Sequence, residues 1–128
     1  MKRKTPLYLL LATISALTIL TGLVQMLVPG MVLRLMLSEA TPTAKHFFGI
    51  VGMFMVLFGG ALLHALLSPA HQPVVVLWAG LQKFGASLAV GLGVLNAVFS
   101  SLALLVAGFD LLSGILIFLY WSEVRRQG

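Results

Sequence analysis

Two things are nearly missing from this sequence: cysteine is absent and charge is scarce. Only 9% of the 128 residues are Asp, Glu, Lys or Arg, against roughly 25% in an ordinary soluble domain. Without cysteine there are no disulfides, thiolate nucleophiles, or cysteine-ligated metal or iron–sulfur centres. The shortage of charge excludes a water-soluble globule. Acidic residues number 3 and basic residues 8, a net charge of +5. The basic residues gather near the chain ends instead of forming a stripe along one face, so nucleic acid is not an expected partner. His46, His64 and His71 show no i, i+3 or i, i+4 spacing and share no helix with a carboxylate, so no metal, haem or other cofactor is expected.

What is present is apolar. Hydrophobic residues make up 60% of the chain, and mean hydropathy is +1.10. A helix needs about 20 mostly apolar residues to cross a bilayer. Four stretches qualify, at about 7–28, 47–67, 74–98 and 102–121. The runs are continuous, without the alternation of a transmembrane β-barrel strand. Turn residues separate them: Pro29-Gly30, Thr41-Pro42-Thr43, Ser68-Pro69, Gln72-Pro73 and Ser100-Ser101. Short connections make neighbours antiparallel. The expected fold is therefore all-α, a transmembrane up-down-up-down four-helix bundle in one domain. Residues 31–40 are too few to span and read as a helix lying on the membrane surface.

Orientation follows the basic residues. Lys2, Arg3 and Lys4 precede the first span, and Arg125 and Arg126 follow the fourth. Both termini are expected in the cytoplasm, with the protein multi-pass in a cell inner membrane. Tyr8, Tyr120 and Trp121 suit an aromatic belt on that side. The apolar run after Lys4 is too long for the core of a signal peptide.

A charged residue in the hydrocarbon costs ~2.5–3.5 kcal/mol on insertion scales and calls for a partner or a role. The spans hold two, Lys83 and Asp110. At ~1.5 Å per residue Lys83 lies ~15 Å into its span, and Asp110 reaches a similar depth from the opposite side. A tight turn makes their helices neighbours, so the two are expected to pair. The pair serves either as a structural lock or as a ligand-binding or proton-relay group. Gln82 and His64 are further candidates for lining such a site. Thr18, Thr21 and Gln25 share a face of the first span, but Thr satisfies itself on its own helix and carries little weight.

Gly85, Ala89, Gly93 and Ala97 recur every four residues, and Gly52 and Gly60 notch the second span. Such small-residue stripes let helices approach closely. Packing within the chain is the expected use, with a homodimer seam as the alternative. The second to fourth spans are expected to form the tight part of the bundle.

Phe48-Gly49-Ile50-Val51-Gly52, Gln82-Lys83-Phe84-Gly85-Ala86 and Phe109-Asp110-Leu111-Leu112, set in four spans, resemble the small DoxX-like four-helix proteins of bacterial inner membranes. That resemblance implies an accessory role beside a larger membrane complex and carries over no catalytic residue. The residues themselves point first to a non-enzymatic protein that binds a hydrophobic small molecule between its helices or serves as such a subunit. Alternatives are a homodimeric proton- or cation-coupled transporter using Lys83 and Asp110, and an intramembrane lipid isomerase or cyclase. Expected partners are the bilayer, a hydrophobic ligand, and a second copy or a larger membrane complex.

Overall fold

The computed structural model describes residues 4–127. The described residues form five helices, α1 (Pro6–Leu27), α2 (Pro29–Leu35), α3 (Pro42–Leu67), α4 (Pro73–Leu95) and α5 (Ala103–Gln127). All but α2 are long and apolar enough to cross a membrane. This is a small multi-pass membrane protein built as an all-α four-helix bundle. Lys2 and Arg3, used above for orientation, lie outside the described residues.

Proline sets the starts. Four of the five prolines open a helix, at Pro6, Pro29, Pro42 and Pro73. Proline lacks the N–H that would be unsatisfied there and has its φ already helical. Thr5 and Thr41 complete two of these starts, their hydroxyls accepting from the Tyr8 and Ala44 amides. Pro42 thus begins α3 five residues before the apolar run that marked it. Pro29-Gly30 ends the first span and also begins α2, which is shorter than expected and stops at Leu35.

Two helices stop in the same way. Past α4, the Val98 amide donates to the Gly93 carbonyl at 2.8 Å and the Ala97 amide to the Val94 carbonyl at 3.1 Å. Past α2, Ser38 donates to Leu33 and Leu37 to Arg34, both at 3.0 Å. Each is a Schellman closure, whose turning residue takes a left-handed backbone usually reserved for glycine. Here Leu37 (φ 52°) and Ala97 (φ 58°) occupy it. Ala97→Gly removes the Cβ penalty and is expected to stabilise the protein by about 0.5–1 kcal/mol, read as a higher unfolding midpoint in micelles.

The helices pair as two hairpins, α1 with α3 and α4 with α5, and contacts between the hairpins are sparser. This corrects the expectation that the second to fourth spans form the tight part. In the first hairpin Gly22 lies against Gly52, and Gly59 against Ser15 and Ile19. In the second, Gly80 meets Ile117 and Phe118, and Gly114 meets Phe84. All four long helices converge at the end holding Pro6, Leu67, Pro73 and Gln127, here the terminal end. The core there comprises Tyr8, Leu11, Leu62, Leu66, Val76, Ala79, Ile117, Tyr120 and Val124. Tyr8 and Tyr120 are therefore buried and do not form an interfacial belt. The Tyr8 hydroxyl donates to the Leu66 carbonyl at 2.8 Å. At the opposite, α2 end the hairpins touch through the Ser100 amide, which donates to the Met36 carbonyl at 3.1 Å, and through the tilted ring pair Phe48–Phe99.

Candidate functional site

The first turns of α4 run Val76, Ala79, Gly80, Lys83, and all four are buried. At 100° per residue these positions form one face, so burying the apolar ones turns Lys83 inward. The same logic on α5 places Asp110 in line with Ala103, Ala107, Ser113, Gly114 and Ile117, all buried. Antiparallel pairing of α4 and α5 then brings the two charges to one level. The Lys83 ammonium donates to Asp110 Oδ1 at 3.3 Å and to Thr18 Oγ1 of α1 at 2.7 Å. Lys83 is 4% exposed and Asp110 8%.

This is a polar layer spanning both hairpins. Ser15 and Ser113, one turn towards the terminal end, are buried too. The Ser15 hydroxyl donates to the Leu11 carbonyl of its own helix. The Phe109 ring centroid lies 5.3 Å from Lys83 Nζ. Phe109 is itself exposed, so its face shields the ammonium from the outside while adding cation–π attraction. Lys83 is thus a cation with three attractive contacts, two on α5 and one, through Thr18, on α1.

The other candidates do not join this layer. Gln82 is only partly buried and takes no part in the Lys83–Thr18–Asp110 contacts. His64 is exposed near the terminal end of α3. It does not look into the bundle, because the buried line of α3 runs through Gly59, Leu62 and Leu66. The glycine stripe also needs correction. Gly85 and Ala89 are exposed, and a Cβ on Gly85 would meet nothing within 4 Å. Gly93 faces the Phe99 ring, and Ala97 lies beyond the end of α4. Gly85 sits about 200° around the helix from Lys83, so a buried Lys83 turns Gly85 outward. Of the α3 pair, Gly52 packs on α1, whereas a Cβ on Gly60 would meet nothing within 4 Å.

Thr18 is the functional neighbour that sequence reasoning undervalued. It was expected on one face with Thr21 and Gln25, whereas the buried polar line of α1 runs through Ser15, Thr18 and Gln25. All three are buried, whereas Thr21 is exposed and bonds the Leu17 carbonyl. Gln25 reaches across to α3, its amide nitrogen donating to the Phe48 carbonyl at 3.0 Å.

The bundle changes character at the polar layer. Between the terminal end and Lys83 the inward face of α4 is fully buried. Beyond it the same face continues through Ser87, Val90 and Val94, and each of these is partly exposed. Ser87 is held by its own hairpin, its hydroxyl donating to the Ala107 carbonyl at 2.9 Å. A Cβ on neighbouring Gly91 would meet nothing within 4 Å. Burial along α4 therefore falls between the Lys83 layer and the Met36–Ser100 and Phe48–Phe99 contacts, although Gln25 of α1 and Ala103 and Ala107 of α5 stay buried there.

Among the described residues no group of three or more His, Cys, Asp or Glu is placed to hold a metal ion. No family model matches the chain, and neither does any curated protein or solved structure.

Proposed function

We propose that this membrane protein holds an apolar or amphiphilic molecule between its two hairpins, on the α2 side of the polar layer. The observation carrying this reading is the loss of burial along one face of α4, complete at Val76–Lys83 and partial from Ser87 to Val94. A helix face buried at one end and half-open at the other suits a ligand pocket between helices, apolar with a few convergent polar groups. Lys83, Asp110 and Thr18 form its floor, and Val90, Gly91 and Val94 supply an apolar wall. Binding fits the chemistry better than catalysis, since the two charges engage each other and Thr18. The same reading places the protein in a bacterial inner membrane with both termini cytoplasmic, supported by Lys4, Arg125 and Arg126 at the terminal end. It is consistent with a DoxX-like accessory protein that presents or stores such a molecule.

Photolabelling tests the site. A fatty acid with a diazirine on its chain is expected to label α4 beyond Lys83. Val90→Trp, which fills the opening, is expected to cut that labelling at least fivefold. Leu88→Trp, on the exposed face, is expected to leave it unchanged. Equal labelling of the two variants rules the pocket out.

A further inference from the structure

A second feature lies apart from the polar layer, on the flank of the first hairpin at the α2 end. A groove of about 550 Å³ runs between the end of α1 and the start of α3. Met26, Gly49, Ile50 and Met53 line its apolar part, and Lys45 and His46 stand where α3 begins. Lys45, Gly49, Ile50 and Met53 follow helical spacing, so the groove descends one face of α3. From Lys45 to Met53 it covers about 12 Å along the axis. It is polar at the membrane surface and apolar below.

The polar end collects cations that lack counter-ions. Gly30 of α2 is buried. A Cβ built on it would lie 3.0 Å from Lys45 Cδ and 3.5 Å from Arg34 Nη1. The Arg34 and Lys45 side chains therefore converge over one small patch, and a side chain at position 30 would obstruct them. Among the described residues neither forms an ion pair, and no carboxylate lines the groove. Two cationic side chains meeting beside an apolar channel favour an anion, and Arg with Lys is a usual donor set for phosphate.

We propose that this groove seats one anionic phospholipid of the surrounding bilayer. Its phosphate lies on Arg34 and Lys45 beside His46, and one acyl chain runs down Gly49, Ile50 and Met53. The short helix α2 serves here to carry Arg34 to the start of α3.

Native mass spectrometry of the delipidated full-length protein in micelles tests the proposal, with phosphatidylglycerol or phosphatidylcholine of matched chains added back. The wild type is expected to retain phosphatidylglycerol at least fivefold better. Arg34→Gln/Lys45→Gln is expected to bring the two lipids to parity, and Arg34→Lys/Lys45→Arg to keep the preference. Both pairs of substitutions are at exposed positions, so the α1–α3 seam stays intact. Val90→Trp is expected to leave the preference unchanged, which separates this site from the pocket between the hairpins. Parity in the wild type overturns the proposal, and so does a preference that survives Arg34→Gln/Lys45→Gln. Displacement of the lipid by equimolar glycerol 3-phosphate also overturns it, because the acyl chain would then contribute nothing.

Discussion

Asp110→Leu alone is expected to destabilise the bundle by about 3–5 kcal/mol, and Lys83→Met/Asp110→Leu to recover most of that loss. Removing one member of a buried ion pair strands the other charge, and the stranded charge dominates the cost. After Asp110→Leu, the Lys83 ammonium keeps only Thr18 and the Phe109 ring in a region without water. Replacing both charges by apolar groups of similar volume removes the stranded charge and leaves ordinary packing, a change that is often neutral or stabilising. Thr18→Val is expected to cost less, about 1–3 kcal/mol, as it removes one acceptor from a cation that retains its carboxylate. Unfolding in mixed micelles, analysed as a double-mutant cycle, measures all three. A double variant as unstable as Asp110→Leu would show that the layer is held by packing and not by charge. A stable double variant also provides the protein in which the pocket can be tested without its polar floor. Retained photolabelling would make the layer a lock between hairpins, and lost labelling would make it part of the ligand contact.

How much of this layer could be read beforehand depended on the kind of constraint. The Lys83–Asp110 pair was legible because hydrocarbon makes an isolated charge costly and a tight turn makes α4 and α5 neighbours. Depth alone then matched the two. The prolines were legible as breaks between spans, though Pro29 and Pro42 prove to open helices where a turn and a later start were expected. The third partner was not legible. A threonine in a membrane helix can satisfy itself on its own backbone, as Thr13 and Thr21 do, so Thr18 carries no signal until the rotation of α1 is known. The glycine stripe misled for a related reason. Spacing by four shows that residues share a face without showing which way it points. Lys83 and Gly85, two residues apart, cannot both point inward, and the cost of an exposed charge decides between them. The loosened half of α4 was also illegible, since Val90 and Val94 look the same in sequence whether buried or half-exposed. The antiparallel pairing of α1 with α3 was expected from their connection, but its tightness was hidden because Gly22, a lone glycine in an apolar run, gives no stripe.

That lone glycine leads to the other large expected effect. Gly52→Leu is expected to cost about 3 kcal/mol, at the upper end of overpacking penalties, and to break the α1–α3 hairpin before the α4–α5 one. A Cβ on Gly52 would lie 2.7 Å from the Gly22 carbonyl oxygen and 2.8 Å from the Met26 amide nitrogen. Both obstacles are backbone, so no side-chain rotation relieves them and the helices must move apart. Separation at this level stretches the bond from Gln25 to the Phe48 carbonyl, leaving the buried Gln25 amide without a partner in a medium that offers no water. It also loosens the van der Waals contact that holds membrane helices together where no hydrophobic drive acts between them. Gly60→Ala and Gly85→Ala provide the contrast. Neither Cβ meets an atom within 4 Å, and alanine is the better helix former by about 1 kcal/mol. Both substitutions are expected to be neutral or stabilising. Unfolding midpoints in micelles rank the three variants, with crosslinking between α1 and α3 reporting which hairpin opens. A Gly85→Ala variant as damaged as Gly52→Leu would mean that the exposed stripe is packed after all, against a second copy of the chain or another membrane protein.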